Sequence, residues 1–293
     1  MEVGRRALRR GAGGVALVDG VPAVAGPGEV VVEVAYAGVC RTDLAVADGL
    51  IAVAPGRVLG HELSGWVDGA PVTVIPFAPC GACACIRGGR CEAPRWLGVD
   101  RDGAFADQVV VPAPSVLPLP VGLSLVLGAY VEPVAAALGV LPWITPGARV
   151  LVAGDGRIAA LTARVIGAHG GEVVRAGGRG ALAPRSFDVV IEHGGLTPAL
   201  VAAARSGGVV LVRSRGARAV ELDAGELVAR ELSVHGVGHG SFTEAIDWLR
   251  SRRIVVDDLL AEPRSLEAYA EVLGAARDEQ RKQMFVLAGA ARR

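Results

Sequence analysis

Cys40, Arg41, Thr42 and Asp43 put a thiol, a guanidinium, a hydroxyl and a carboxylate at consecutive positions of "GVCRTDL". Together such groups can ligate a metal, hold an anion, pass a proton and orient a neighbour. Two further segments supply donors of the same kind: His61 and Glu62 in "LGHELSG", and Glu132 in "VEPVAAAL". A catalytic zinc takes about three protein donors and keeps one position for water or substrate; cysteine, histidine and a carboxylate all serve. Each of these residues also has an ordinary explanation when taken singly. A lone cysteine is commonly a small buried hydrophobe, a lone histidine is structural, and a glutamate before proline opens a helix.

A second donor set is denser. "CGACACIRGGRC" places Cys80, Cys83, Cys85 and Cys91 within twelve residues, and Gly81, Gly88 and Gly89 supply the turns that would bring them together. Four thiolates satisfy a closed tetrahedral zinc, which would brace a loop and leave no position for chemistry. With Cys40 the chain has five cysteines, and their clustering points to metal and not to disulfides.

A third feature is "RVLVAGDGRIAALTARVIG", read as a strand, a tight turn with Gly154 and Gly156, and a helix with Ala159 at the third small position. G-x-G-x-x-A in that context lets backbone approach a pyrophosphate at the helix N-terminus. About twenty residues after the first glycine, an acid would read the ribose hydroxyls of NAD. Gly177 stands there instead, flanked by Arg175 and Arg179, so the expectation is a site for a 2′-phosphate and a preference for NADPH over NADH.

The elements that must carry these residues fall into two textures. Up to about residue 121, β-branched runs such as "EVVVEVAYAG", "PVTVIPF" and "FADQVVVP" are punctuated by Gly, Pro and Asp-Gly, which predicts a barrel-like β domain. From residue 122, apolar strands alternate with Ala-rich helical stretches, "TPALVAAARSGG" among them, which predicts a doubly wound parallel sheet. The tail holds an amphipathic helix, "SLEAYAEVLGAARD", and a last strand, "QMFVLAG". Residues 108 to 131 carry no charge, but four prolines disfavour a membrane helix and predict buried extended chain.

The 293 residues suffice for two modest domains, and a net charge of zero with no long basic or acidic run excludes an electrostatic case for nucleic acid. "MEVGRRALRRGAGG" reads as neither a secretory signal nor a lipid anchor, so the expected location is cytoplasmic, with no membrane partner.

In their order along the chain, "PGEVVVEVAYAGVCRTDL", "LGHELSGWV", the cysteine loop, "DGAFADQVVVP", "VEPVAAAL", "GDGRIA" and "FDVVIE" resemble the zinc-dependent medium-chain alcohol dehydrogenases, in particular their polyol-dehydrogenase branch. The resemblance implies an α/β protein: a GroES-like β-barrel catalytic domain of residues 1–121 and 255–293, and a Rossmann nucleotide-binding domain of residues 122–254. It implies a zinc- and NAD(P)-dependent alcohol dehydrogenase or ketone reductase acting on a small alcohol or ketone, as a homodimer or homotetramer. Cys40, His61 and a carboxylate, Glu62 or Glu132, would hold the catalytic zinc, with the second glutamate as an exchanging neighbour. Thr42 would hydrogen-bond the substrate oxygen and pass its proton, and Asp43 would orient His61. Arg41 would reach the cofactor pyrophosphate, and Gly154, Gly156, Arg157 and Ile158 would line the cofactor with Arg175 and Arg179.

Three departures from the family pattern stand out. Ala45 occupies the place where some relatives carry a histidine at the end of the proton relay, so protons must leave through water or another group. The cysteine loop is C-x2-C-x-C-x5-C where the family has C-x2-C-x2-C-x7-C. Between "VVRAG" and "FDVVI" only residues 178 to 186 remain, spanning at most about 30 Å, too few for the usual helix and third strand, whose loss is therefore expected. The alternatives are a polyol or sugar dehydrogenase of the same family, an enoyl reductase of its zinc-free branch, and a non-catalytic zinc-containing binding or scaffold protein. His169 reads as an exposed helix end, His193 and His239 as strand-end residues able to approach a ligand, and His235 as part of a strand; Lys282 has no assigned role.

Overall fold

The computed structural model describes residues 6–20, 22–79, 91–177, 182–214, 219–278 and 280–291. Its chain forms two compact units, Met1–Glu132 with Asp257–Arg293, and Pro133–Val256. Division at 121/122 and 254/255, as the sequence suggests, falls earlier than both of these boundaries.

In the first unit the strands are β1 (Arg6–Gly11), β2 (Gly14–Asp19) and β3 (Glu29–Gly38), followed by α1 (Arg41–Ala47), β4 (Arg57–Val58), β5 (Glu62–Val67), β6 (Ala70–Val74), β7 (Phe77–Ala78), β8 (Arg95–Trp96), β9 (Gln108–Pro112) and β10 (Val116–Pro118). One sheet has the order β2-β1-β4, and β7 pairs with β8. The β-branched alternation of β3 suits a strand with pairing on both sides, and β3 is the hub of the largest sheet. It pairs antiparallel with β5, with β9 and with a strand from the far end of the chain.

The uncharged stretch 108–131 departs from the extended chain expected of it. Beyond Pro120 it turns helical, with α2 (Leu125–Ala129) and α3 (Val131–Leu138). Ser124 caps α2 by accepting from Leu127 N–H at 3.3 Å, and no proline follows until Pro133 in the first turn of α3, where proline is tolerated. Ser64 on β5 donates to the Leu125 carbonyl at 2.5 Å, which fixes α2 on the first unit's sheet.

The second unit contains β11 (Arg149–Ala153), α4 (Arg157–Ala168), β12 (Glu172–Ala176), β13 (Phe187–Glu192), α5 (Pro198–Ala203), β14 (Ala204–Val212), α6 (Ala224–Ala229), β15 (Ser233–Gly236) and α7 (Phe242–Arg250). Its five strands are parallel in the order β12-β11-β13-β14-β15. Val150, Val152, Val189 and Ile191 pack with Ala159 and Ile166 of α4 on one face, and Leu151, Val190 and Val210 pack with Leu200 and Ala203 of α5 on the other. A doubly wound sheet is what those near-continuous apolar strands require. The helix expected over "TPALVAAARSGG" ends at Ala203, because Arg185 and Ser186 N–H groups take the Ala202 and Ala203 carbonyls, and Ala204 pairs with Phe187.

The chain then returns to the first unit through β16 (Arg264–Ser265), α8 (Tyr269–Ala276) and β17 (Met284–Val286). Met284 pairs with Gly38 on β3, and Phe285 and Leu287 join Leu8, Val32, Leu63 and Phe105 in that unit's core. This return fixes the position of Lys282. No helix among the described residues is long and apolar enough to cross a membrane.

Candidate metal centre and dinucleotide loop

Cys40 directly precedes α1, and Asp43, the third residue of that helix, reaches back to accept from the Cys40 N–H at 2.8 Å. The buried Asp43 carboxylate also accepts from the Gly60 N–H at 3.1 Å and from His61 Nδ1 at 3.2 Å. One side chain therefore ties the cysteine turn to the histidine turn and leaves His61 Nε2 for another partner. Gly60 is required in that turn. Its φ is +97°, and a Cβ there would lie 2.8 Å from both Phe105 Cε1 and the Phe105 backbone nitrogen.

Cys40 Sγ, a His61 ring nitrogen and a Glu62 oxygen all lie within 4.8 Å of one another. Glu62 is fully enclosed, and Lys282 Nζ donates to its two carboxylate oxygens at 2.5 and 2.6 Å and to the Val39 carbonyl at 3.1 Å. A side chain on Gly38 would run into the Glu62 carboxylate, so the end of β3 has to be glycine for the acid to fit.

The electrostatics suit a cation. Burial disfavours the His61 imidazolium, but the Asp43 carboxylate and the Cys40 sulfur more than offset this and hold its pKa well above the ordinary value. Burial also pushes the Glu62 carboxyl up against the pull of Lys282, and Glu132 adds to the push. A soft, half-buried sulfur, a buried imidazole and a buried oxygen donor in one cluster, with the histidine held from behind by a carboxylate, fit a zinc ion that keeps an exchangeable position.

The other expected site residues are placed as follows. Glu132, in the first turn of α3, is buried and close enough to influence Glu62 but stands outside the three-donor cluster, so the geometry favours Glu62 of the two glutamates. Thr42 Oγ1 is 4.0 Å from Cys40 Sγ; Arg41 is exposed and Ala45 half-buried on the same helix. Cys91 is half-buried, and Cys80, Cys83, Cys85 and Arg179 lie outside the described residues. Lys282 is the member of the site that sequence reading missed.

In the second unit, Gly154 takes φ +141° between β11 and α4 and packs against His193 and Ala159. Gly156 is the residue before α4 and offers no side-chain cap, which leaves the first N–H groups of a twelve-residue helix open to a phosphate. Arg157 is buried and Ile158 half-buried at the start of that helix, while Arg175 is exposed on β12. This backbone fits a dinucleotide. His193 is buried just after β13, and His169 caps the C-terminal end of α4, half-buried where the sequence suggested an exposed residue. His239 stacks on Phe242, and the exposed His235 ring lies against Trp143.

Glu192, at the tip of β13, is completely buried. Its carboxylate accepts from the N–H groups of Gly194, Gly195, Arg213 and Ser214 at 3.1, 2.6, 2.7 and 2.8 Å, and from the Ser214 hydroxyl at 2.9 Å. Burial raises its pKa, but these donors outweigh burial and hold it below the usual value of 4.5. The unfolded chain therefore takes up this proton first, so the stabilisation is present above about pH 4.5 and is lost as the pH falls below it. Glu192→Gln, which turns an amide NH2 toward N–H donors, is expected to cost about 1–3 kcal/mol near neutral pH and less under acid conditions. Urea unfolding of both proteins at the two pH values checks this.

Residues 26–121 match the family model described as the alcohol dehydrogenase GroES-like domain. The chain is 31% identical over 176 residues to the 2-dehydro-3-deoxy-L-galactonate 5-dehydrogenase of Pseudoalteromonas atlantica, covering 54% of this chain and 52% of that protein. It is 32% identical over 168 residues to the L-galactonate-5-dehydrogenase of Escherichia coli, covering 52% and 49%. The chain thus spans about half the length of the curated relatives it matches. The structure of a candidate zinc-binding dehydrogenase from Sinorhizobium meliloti, bound to NADP, superposes with a TM-score of 0.87 at 27% identity, covering 97% of this chain and 100% of that one. With the cysteine, histidine and glutamate cluster in the matched domain and a parallel sheet bearing a glycine turn beyond it, the chain carries the alcohol dehydrogenase GroES-like domain over residues 26–121 and is similar to the zinc-dependent medium-chain alcohol dehydrogenases.

Proposed function

We propose that this protein is a zinc-dependent oxidoreductase that moves a hydride between a nicotinamide dinucleotide and a small alcohol or ketone. The observation that carries this is the convergence of the half-buried Cys40 with the buried His61 and Glu62, braced by Asp43 and Lys282. When bound there, zinc supplies Lewis-acid polarisation of the substrate oxygen, and the dinucleotide supplies or accepts the hydride. Cys40, His61 and Glu62 hold the ion. Asp43 keeps the His61 Nδ1–H occupied, which would leave Nε2 to hold the ion. Thr42 takes the proton of the substrate hydroxyl; with Ala45 on the same helix, the proton leaves through solvent and not through a histidine.

Within the class we favour a polyol or sugar-acid substrate. Both curated relatives named above are dehydrogenases of sugar-derived acids, and the buried Glu132 is close enough to Glu62 to act on its charge. We also infer a nucleotide-binding sheet that has lost its third strand and the helix before it. The order β12-β11-β13-β14-β15 and the short connection from Ala176 to Phe187 support this.

The test is turnover. The zinc-loaded protein is incubated with NAD+ or NADP+ and a panel of sugar acids, vicinal diols and simple secondary alcohols. Reduced nicotinamide is expected with at least one polyhydroxylated alcohol, and the activity should be lost after chelation and restored by zinc. Turnover of every class that chelation leaves untouched would contradict the role given to the cluster.

A further inference from the structure

We propose that Asp155 reads the adenosine ribose, so that this chain prefers a dinucleotide with a free 2′-hydroxyl, NAD(H), over one with a 2′-phosphate. This rests on the dinucleotide-binding reading above and reverses the preference expected from Arg175 and Arg179.

In a doubly wound nucleotide site the ribose hydroxyls are read at the tip of the second strand, by an acid that accepts from them. β12 is that strand; it ends at Ala176, and the next residue, Gly177, has no side chain to offer. The space is nevertheless filled. A Cβ built on Gly177 would collide with an Asp155 carboxylate oxygen and stand 3.0 Å from Asp155 Cγ. The acid missing from the strand is thus supplied from the glycine turn, between Gly154 and Gly156.

The position of Asp155 follows from the backbone. The Gly154 N–H donates to the Ala176 carbonyl at 3.0 Å, which pins the turn to the end of β12. Glycine at 177 is what lets the carboxylate lie across the tip. Asp155 is exposed and makes no salt bridge with a described residue, so no described cation neutralises its charge. It can accept two hydroxyl hydrogen bonds, whereas a 2′-phosphate in the same place brings like charge against it. Arg175, exposed on β12 two residues before Gly177, is the cation a 2′-phosphate could use. Asp155 stands at the tip itself and opposes that use.

The test is a fluorescence titration of the zinc-loaded full-length protein with NADH and with NADPH, for wild type and Asp155→Asn. Asparagine keeps the size of the side chain and removes its charge, and thermal unfolding checks that the variant is folded. Wild type is expected to bind NADH about tenfold or more tightly than NADPH at low ionic strength. Asp155→Asn should reduce that ratio to about threefold or less, mainly by strengthening NADPH. Equal or tighter binding of NADPH by wild type, or a ratio unchanged in the variant, would overturn the proposal while leaving the dinucleotide reading intact. Saturation by neither up to about 1 mM would overturn both.

Discussion

Cys40→Ser is expected to yield a folded protein that lacks one equivalent of zinc and turns over alcohol at least about 1,000-fold more slowly. Thiolate is the only soft, anionic donor in the cluster, and a serine hydroxyl stays protonated and binds zinc poorly. The loss of several kcal/mol of charge stabilisation in the transition state sets the size of the effect, at 1.36 kcal/mol for each factor of ten. The fold should survive, because the bond from the Cys40 backbone N–H to Asp43 and the Asp43 contacts to Gly60 and His61 do not involve the sulfur. Zinc content per chain and the unfolding midpoint, measured on the same preparation, separate metal loss from misfolding. Wild-type zinc content with wild-type turnover would remove Cys40 from the site.

Lys282→Met should have the largest effect on stability. Lys282 and Glu62 are 2% and 1% exposed, so removing the ammonium leaves a buried carboxylate with Glu132 as a further source of negative charge. Breaking such a pair from one side costs about 3–5 kcal/mol, whereas neutralising both partners is far milder. The metal-free Lys282→Met protein is therefore expected to lose about that much in urea unfolding, and a Glu62→Gln, Lys282→Met double variant should recover most of it. The deficit should shrink when zinc is added, since the cation replaces the missing positive charge beside Glu62. Equal stability of the single variant and wild type would show that Glu62 is not charged in the folded protein.

What could be read from the sequence follows from range. Cys40 to Asp43 sit within one turn of chain, and Gly60, His61 and Glu62 within another, so residue type and spacing sufficed to nominate them. Lys282 is 220 residues from Glu62 and meets it only because β17 pairs with β3, a long-range pairing that no local pattern announces. Of the two glutamates the sequence left open, Glu62 follows His61 directly and lies in the three-donor cluster, while Glu132 arrives on a separate helix and stands outside it. The alternation of apolar strands with helices over residues 149–250 was legible as a parallel sheet, because both strand faces are buried there. The helices after Pro120 were not, since an uncharged run dense in proline hides the Ser124 cap. Asp155 fills an unspecified position of the G-x-G pattern, and only the folded turn brings it over Gly177.

The central claim is that Cys40, His61 and Glu62 hold a metal. Crystals of the zinc-loaded protein, with anomalous diffraction recorded on both sides of the zinc absorption edge, test it most directly. The account predicts a zinc peak bounded by Cys40 Sγ, His61 Nε2 and a Glu62 oxygen, with Asp43 still on His61 Nδ1. Zinc bound elsewhere in the chain, with no peak among these three side chains, would contradict it.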